Sequence, residues 1–361
     1  MTIVISFDGL SDKEFEAMAA DPAKYPAFAA FMAEAQYFGG VPSVFVTNTY
    51  PIHTSVITGK LPAEHGIISN FLGRDAEGRE IWAEKISFIK EKTIFCDAAE
   101  KGLKVATISW PVTCGAGRKI KWNLPEAHIL PGQSRLWAQM RNGSPLYQFM
   151  AFVRHGRKLD GLKEPQLDDF LASMTVDLLR RKRPPDLLMV HLLAYDIIRH
   201  KTGLSPELEV ARASFDKSLG RILAAAPKNA AIIAFSDHAH LDVKESVDLS
   251  KTYGDALFEQ CGGSAFFSRP VEGIEAAPWF NRFLTPKEME TSGYTPLAVQ
   301  GVAAKPGFCF GRGKYAANHG YPADYADYQV FIAVKNGRLK ALMPFGDIRD
   351  VYALMKHQLS L

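Results

Sequence analysis

Residues 48–59 read NTYPIHTSVITG and carry a threonine just before the predicted start of a helix. Tyr50 precedes Pro51 and is biased towards extended backbone, so we expect Thr49 to lie in a loop. Pro51 suits a first helical turn, and Gly59 suits the end of the helix. An oxygen held at a helix N-terminus lies in positive potential that favours an anion. From this stretch alone, however, an ordinary helix start with a threonine near its cap is the simpler interpretation.

The composition is that of a large folded protein. Its 361 residues are 47% hydrophobic, which is enough to bury a sizeable core. The net charge of +3 is small for this length, and nucleic-acid binding would need a clustered basic face. The dense basic run at 180–183 precedes two prolines and is typical of a solvated helix end. We therefore expect no nucleic-acid polymer as a partner.

The cysteines and the apolar segments point to a cytoplasmic protein. The four cysteines are scattered without a C-x-x-C spacing, so they suggest neither a thiolate zinc site nor a disulfide framework. No stretch has the length and uninterrupted apolar character of a membrane span. Residues 2–7 read as a strand of the fold and not as part of a signal peptide. We expect no membrane attachment, and the sequence leaves the oligomeric state open.

Short apolar runs alternate with amphipathic segments along the chain. This alternation predicts an α/β fold with a mostly parallel central sheet flanked by helices. Ligands of such sheets bind outside the carboxyl ends of the strands. The predicted strands are residues 2–7, 104–109, 186–193 and 230–235, and the predicted helices are residues 11–18, 25–35, 167–181 and 205–226.

Two regions interrupt the alternation. Residues 112–165 are rich in Gly, Pro, Trp and Arg, and residues 245–315 contain a Gly-Gly pair and several prolines. We expect a single catalytic domain spanning residues 1–361, in which these two insertions form a cap over the carboxyl ends of the strands. Substrate selectivity would then depend on the cap, because loops at such positions carry binding residues.

Acidic residues follow three of the predicted strands, and histidines accompany them. Carboxylates at one rim of a sheet are costly to bring together unless a cation neutralises them. A D-x-x-x-H spacing or an Asp-His pair is common by chance, but the joint occurrence at strand ends favours a metal site. Three carboxylates and three imidazoles are the ligands expected for zinc-like ions. The residues are Asp8, Asp196, His200, Asp237, His238 and His319.

Several motifs resemble those of the alkaline phosphatase superfamily, and most closely the type I phosphodiesterase/nucleotide pyrophosphatase family. The resemblance extends over about residues 3–335 and leaves both insertions unmatched. The sequence departs from the family at Ile52, where Asn is usual, and at Tyr50, where Phe is more common. The motifs are SFDG at 6–9, NTYPIH at 48–53, TGKLPAEHGIISN at 58–70, Asp196–His200, Ser236–His238 and Asn318–Tyr321.

The resemblance implies an alkaline phosphatase-like fold and two zinc ions per chain. One ion would be held by Asp8, Asp237 and His238 and would also bind the Thr49 oxygen. The other would be held by Asp196, His200 and His319. Two such ions can clamp the attacking and leaving oxygens of an in-line displacement.

The resemblance also implies the reaction. Thr49 would be the nucleophile and would form a phospho-threonine intermediate that water then releases. Asn70 would donate a hydrogen bond to a phosphoryl oxygen. Threonine at position 49, instead of serine or cysteine, favours phosphodiester or pyrophosphate cleavage in a nucleotide-type substrate. The alternatives are a C–P hydrolase similar to phosphonoacetate hydrolase and, in another class, an inactive metal-binding module.

Other residues have two interpretations each. Tyr321 is a candidate for substrate binding at the pocket wall. Trp110, Phe266 and Phe267 could stack a nucleotide base, although core packing is more common for aromatic residues. Among the remaining histidines, we expect His53 and His65 to be structural and His240 to neighbour the metal site without ligating. The substrate would be a small-molecule phosphate ester or phosphonate.

Overall fold

The computed structural model describes residues 1–128, 133–161, 163–339 and 344–361. Its strands are β1 (Thr2–Phe7), β2 (Gln36–Val41), β3 (Phe71–Arg74), β4 (Glu80–Trp82), β5 (Val105–Trp110), β6 (Trp122–Pro125), β7 (Leu187–Leu192), β8 (Ala231–Phe235), β9 (Leu241–Val247), β10 (Leu257–Cys261), β11 (Ser264–Phe267), β12 (Phe280–Phe283), β13 (Gln300–Ala304), β14 (Gly307–Phe310), β15 (Ala317–Asn318) and β16 (Val330–Lys335). Its α-helices are α1 (Asp12–Ala19), α2 (Pro26–Glu34), α3 (Thr49–Thr58), α4 (Pro62–His65), α5 (Ile94–Glu100), α6 (Arg135–Asn142), α7 (Pro145–His155), α8 (Gln166–Leu179), α9 (Ala194–Thr202), α10 (Glu209–Ala225), α11 (Ser250–Tyr253), α12 (Pro286–Thr291) and α13 (Asp350–Leu359).

A seven-stranded sheet in the order β2-β16-β8-β1-β7-β5-β6 forms the centre of the protein. The strands from β8 to β6 are parallel to one another, and β16 runs antiparallel to both β8 and β2. Strands β1, β5, β7 and β8 are buried at every position, which explains why they read as continuous apolar runs. The predicted α/β fold with a mostly parallel sheet is confirmed.

Helices cover both faces of this sheet. Successive side chains of β1 point to opposite faces, so Ile3 and Ile5 pack in one core and Val4 in the other. The first core includes apolar residues of α1, α2, α8 and α10, among them Phe15 and Phe215. The second core includes residues of α3, α5 and α13. The sheet is therefore enclosed, and its carboxyl edge is where polar side chains emerge.

The helix that carries the threonine begins earlier than predicted. Asn48 is the N-cap, with φ −115° and ψ 147°, and Thr49 is the first residue of α3. The prediction that Thr49 lies in a loop was wrong, because the first turn of a helix tolerates Pro51, whose missing N–H would have no partner there. The predicted helix end is confirmed, since Gly59 adopts a left-handed conformation with φ +70°.

Part of the first predicted insertion belongs to the central sheet. Strand β6 (Trp122–Pro125) pairs in parallel with β5 at the sheet edge. The prediction that the whole of residues 112–165 forms a cap was therefore wrong for this strand. A four-residue strand is too short to give a recognisable pattern in a segment rich in Gly and Pro. Helix α7 follows and contacts α8 and β6, so it lies against the side of the sheet.

The second predicted insertion forms small sheets beside the carboxyl edge. Strands β10, β11, β13 and β12 form a four-stranded antiparallel sheet, and β14, β9 and β15 form a three-stranded one. Their core contains Phe266 and Tyr294 together with Phe45 and Ala239, which lie in segments that follow β2 and β8. Within the described ranges, none of the helices combines the length and apolar character that crossing a bilayer requires.

Candidate active site

The Thr49 side chain lies at the start of α3 and faces the carboxyl edge of the sheet. Its Oγ1 atom is 3.4 Å from Nε2 of His238, which follows β8. Two neighbours hold the backbone of this turn. His53 donates from Nδ1 to the Thr49 carbonyl at 2.8 Å, and Asn70 accepts the N–H of Tyr50 on Oδ1 at 2.9 Å. The threonine is therefore positioned by the helix start and by side chains on both sides of it.

Asp8, Asp237 and His238 form one cluster of donor atoms. Asp8 follows β1 and Asp237 follows β8, and because these strands are parallel neighbours, their ends meet at the same edge. The Nε2 atom of His238 lies 3.4 Å from Oδ1 of Asp8 and 3.4 Å from Oδ2 of Asp237. Asp237 also accepts the backbone N–H of Gly9 at 3.2 Å, which ties the two strand ends together. This cluster could hold a metal ion.

Asp196, His200 and His319 form a second cluster beside the first. Asp196 lies in the first turn of α9, and His200 is one turn later, so both face the same way as predicted. The Nε2 atom of His200 is 3.2 Å from Oδ1 of Asp196, and that of His319 is 3.9 Å from the same oxygen. The rings of His319 and His238 stack with their centroids 4.0 Å apart, which joins the two clusters. All six predicted ligands thus converge next to Thr49.

The electrostatics of these clusters suit cations. Burial, followed by repulsion from Asp196 and Asp237, raises the pKa of Asp8 well above its ordinary value. Burial lowers the pKa of His238 and of His319 well below the usual range of histidine. Carboxylates that repel one another and imidazoles held neutral are the donor set that a dication stabilises. The residues therefore fit a pair of metal ions.

The hydrogen bonds of the three predicted ligand histidines fix their tautomers. Nδ1 donates to the carbonyl of Ala317 at 2.9 Å in His200, of Thr47 at 3.0 Å in His319, and of Ala239 at 3.3 Å in His238. An Nδ1–H bond to a carbonyl leaves the lone pair on Nε2, which faces the carboxylates in each case. This orientation is typical of metal-ligating histidines. Within the described residues, one oxygen each of Asp8, Asp196 and Asp237 is buried without a hydrogen-bond partner.

Two residues that support the site were not found from the sequence. His191, in the middle of β7, is fully buried with Nε2 3.2 Å from Oδ2 of Asp8. Asp168, in α8, accepts the N–H groups of Leu193 and Ala194 at 2.9 and 3.2 Å, and burial raises its pKa to about 7. It caps the start of the helix that carries Asp196. In the sequence, His191 stands out as a single histidine inside an apolar strand. Nothing in the sequence distinguishes Asp168.

Glu126 is a further carboxyl group near the site that was not found from the sequence. It follows β6, and its Oε1 accepts the hydroxyl of Tyr50 at 3.3 Å. Its Oε2 is buried and has no hydrogen-bond partner among the described residues. Burial raises its pKa to about 8, and its charge contributes to the raised pKa of Asp8. Glu126 was overlooked because it lies in the insertion that matched no motif.

The predicted substrate-binding role of Tyr321 is not supported by its position. Its ring is fully buried against Tyr325 and Tyr328, and its hydroxyl donates to the Phe308 carbonyl at 2.6 Å. This residue packs the core below the loop of His319. The aromatic residues with two interpretations are fully buried as well, which favours core packing for Trp110, Phe266 and Phe267.

The two histidines expected to be structural hydrogen-bond near the backbone of the site. His53 accepts the hydroxyl of Ser6 on Nε2 at 3.0 Å, so both of its ring nitrogens are engaged. His65 accepts the N–H of Ile67 on Nδ1 at 3.1 Å, and burial lowers its pKa to about 3. Both side chains therefore hold the segments that carry Thr49 and Asn70.

A comparison with protein families identifies the chain. The sequence model of the family described as type I phosphodiesterase / nucleotide pyrophosphatase matches residues 2–286. The chain belongs to this family. As a type I phosphodiesterase/nucleotide pyrophosphatase family member, it is a phosphoric ester hydrolase.

Several solved structures share the fold of this family member. Murine ectonucleotide pyrophosphatase/phosphodiesterase 5, as an inactive variant in complex with AMP, is 17% identical with a TM-score of 0.69, covering 100% of this chain and 95% of that chain. The human protein of the same name is 18% identical with a TM-score of 0.69 and the same coverage. Phosphonoacetate hydrolase from Sinorhizobium meliloti 1021, in complex with phosphonoformate, is 17% identical with a TM-score of 0.72, covering 99% and 95%.

Proposed function

We propose that the chain hydrolyses phosphodiester or pyrophosphate bonds in small, nucleotide-type molecules through a phospho-threonine intermediate on Thr49. The observation that carries this proposal is the position of Thr49 Oγ1, 3.4 Å from His238 Nε2 at the start of a helix. A hydroxyl beside metal-ligand groups and inside positive helix potential is suited to attack an anionic phosphorus centre.

The six predicted ligands would hold two zinc ions. Asp8, Asp237 and His238 would bind one, and Asp196, His200 and His319 the other. Imidazole nitrogens and carboxylate oxygens are ligands that zinc prefers, and their Nε2 lone pairs face the carboxylates. Such a pair of ions favours ionisation of a nearby hydroxyl and neutralises charge on a phosphoryl group.

The chain's own residues would guide the displacement. The Thr49 hydroxyl loses its proton to solvent and its oxygen forms a bond to phosphorus while the bond from phosphorus to the leaving oxygen breaks, and the leaving oxygen takes up a proton from solvent. Water later cleaves the phospho-threonine ester, which returns the threonine hydroxyl and releases the phosphoryl product. Asn70 uses Oδ1 to accept the Tyr50 N–H, which leaves its NH2 group to donate to a phosphoryl oxygen. The N–H of Thr49, at the first helical position, has no partner within the helix and is a second donor.

The proposed function is tested with three substrates on zinc-loaded protein. We expect bis-p-nitrophenyl phosphate to be hydrolysed faster than p-nitrophenyl phosphate and phosphonoacetate. Faster release of phosphate from phosphonoacetate would instead support a C–P hydrolase. No turnover of any substrate by protein that contains two zinc ions per chain would support the inactive metal-binding module.

Elemental analysis provides the independent test of the cofactor. We expect two zinc ions per chain after removal of loosely bound metal, and a stoichiometry near zero would refute the two-ion site. The cytoplasmic location and the role of the two insertions in substrate choice stay predictions.

A further inference from the structure

His240 lies beside both groups of predicted ligands, close to His200 and His238, without belonging to either group. It follows β8, two residues after His238, and its side chain is almost fully buried. Its Nε2 is 3.0 Å from Oδ1 of Asp196, and both atoms are buried without a hydrogen-bond partner among the described residues. A buried nitrogen this close to a carboxylate oxygen requires either a shared proton or a shared cation.

The contact of the other ring nitrogen, Nδ1, shows that a neutral His240 ring cannot share a proton between Nε2 and Asp196 without a conflict elsewhere. Nδ1 lies 3.2 Å from the carbonyl oxygen of Gly9, and only an N–H can face a carbonyl favourably at that distance. With the proton on Nδ1, the lone pair of Nε2 faces the Asp196 oxygen, so two acceptors are in contact. The opposite tautomer moves the same conflict to Gly9. A cation next to Nε2 removes it, and that cation is either a second proton on the ring or a metal ion.

The same bonding pattern occurs in the three predicted ligand histidines. In each of these rings, as in His240, Nδ1 faces a backbone carbonyl and Nε2 faces a carboxylate. Donor atoms of His240, Asp196 and His238 all lie within 4.8 Å of one another. The group takes one residue from each predicted ion position, since Asp196 belongs to one and His238 to the other.

We propose that His240 is an additional metal ligand, binding through Nε2 to the ion that Asp196 holds. The proposal rests on the proposed function, because it adds a ligand to the same metal centre. A fourth imidazole makes the centre richer in nitrogen donors, which favours zinc, cobalt, nickel or copper over magnesium, calcium or manganese.

The turn after β1 accommodates this ring. Gly9 has φ +73°, and a Cβ atom at this position would overlap Cε1 of His240. The same glycine supplies the carbonyl that Nδ1 faces. The turn that follows Asp8 therefore both leaves space for the imidazole and orients its Nε2 towards Asp196.

Cobalt-substituted protein tests this proposal directly. A histidine that ligates paramagnetic Co²⁺ through Nε2 retains an exchangeable Nδ1–H whose NMR signal is strongly shifted. With ¹⁵N-labelled histidine, we expect four such signals in the native protein, from His200, His238, His240 and His319. We expect three in His240→Asn, whose amide can still donate to the Gly9 carbonyl.

The matched control is His155→Asn, which changes a histidine that pairs with Asp177 away from the site and should retain four signals. We also expect His240→Asn to bind Co²⁺ about 10-fold or more weakly in competition with a chelator. Three shifted signals in the native protein, with His240 among the unshifted ones, would overturn the proposal and leave the six-ligand site intact. Failure to take up cobalt would instead contradict the proposed function. The number of shifted signals in the native protein tests the proposal even if the variant does not fold.

Discussion

Oγ1 of Thr49 lies 3.4 Å from Nε2 of His238, although 189 positions separate the two residues in the chain. The threonine reaches this point from the start of α3, and the histidine reaches it from the end of β8. Strands β1 and β8 are parallel neighbours, so the residues that follow them, Asp8 and Asp237, lie at the same edge of the sheet. The Thr49 hydroxyl therefore lies beside the cluster of Asp8, Asp237 and His238.

Replacing Thr49 with Ala removes this hydroxyl with little change in packing. We expect turnover of a phosphodiester to fall by on the order of 10⁴-fold or more, because the proposed nucleophile is absent. Folding, followed by circular dichroism and thermal unfolding, and most of the bound metal should be retained. Thr49→Ser, which keeps a hydroxyl, should retain measurable activity and an acid-stable phosphorylated intermediate. Native-like rates in Thr49→Ala would exclude Thr49 as the nucleophile.

Asn70 provides a second prediction, which separates its two polar atoms. Asn70→Asp keeps an oxygen that can accept the Tyr50 N–H, whereas Asn70→Ala removes both the acceptor and the NH2 donor. If the NH2 group stabilises the phosphoryl oxygens, both variants should lose about 10²–10³-fold in kcat. Steady-state kinetics on a diester measures this loss. Full activity in Asn70→Asp would show that Asn70 only positions the backbone of Tyr50.

The second insertion reaches the metal site through Gly262. This glycine has φ +63°, and a Cβ atom there would overlap the carbonyl oxygen of His319. The next residue, Gly263, donates its N–H to the same carbonyl at 2.8 Å. We expect Gly262→Ala to displace the loop of His319, to weaken zinc binding and to destabilise the protein by about 2–3 kcal/mol. Chelator competition and denaturant unfolding measure the two effects.

The chain offers a matched control for this glycine. Gly273 lies in the same insertion and has φ +71°, but a Cβ atom there would meet nothing within 4 Å. Gly273→Ala therefore introduces the same backbone strain without the contact to His319. We expect it to destabilise the protein by about 1 kcal/mol and to leave zinc affinity unchanged. Equal zinc affinities in the two variants would contradict a link between this insertion and the metal site.

The sequence predicts those strands and site residues whose position depends on a local pattern of residue types. Strands buried on both faces, such as β1 and β7, are continuous apolar runs, and the residue after each parallel strand must lie at the carboxyl edge. Asp8 and Asp237 could therefore be placed at one rim without a structure. His200 could be placed relative to Asp196 because four residues make one helical turn.

Other features depend on neighbours that are distant in the chain. His191 reads as one polar residue in an apolar strand, and only the pairing of β7 with β1 brings it to Asp8. Asp168 caps a helix that begins 26 residues later. Strand β6 and Glu126 lie in a segment without a clear period, so tertiary contacts determine their place. Tyr321 was predicted to line the pocket, but its side chain is fully buried in the core.

Glu126 leads to a prediction on pH dependence in the metal-free protein. Burial raises the pKa of this carboxyl from an ordinary value of 4.5 to about 8, so the folded state binds its proton more tightly than the unfolded state does. The resulting stabilisation is complete below pH 4.5 and is lost as the pH rises towards 8. One such group changes the free energy of unfolding by at most about 1.4 kcal/mol per pH unit.

Replacing Glu126 with Gln removes the titrating group while keeping its size and its ability to accept the Tyr50 hydroxyl. We expect the free energy of unfolding to fall less steeply between pH 5 and 8 in Glu126→Gln than in the native protein, both measured by denaturant unfolding in the presence of a chelator. Because Asp8 and Asp237 titrate in both proteins, the difference between the two slopes reports Glu126 together with its effect on the pKa of Asp8. Glu80→Gln, which alters an exposed carboxylate paired with Arg74, should leave the native slope unchanged. Identical slopes in native protein and Glu126→Gln would mean that the Glu126 carboxyl is ionised and solvated in the folded state.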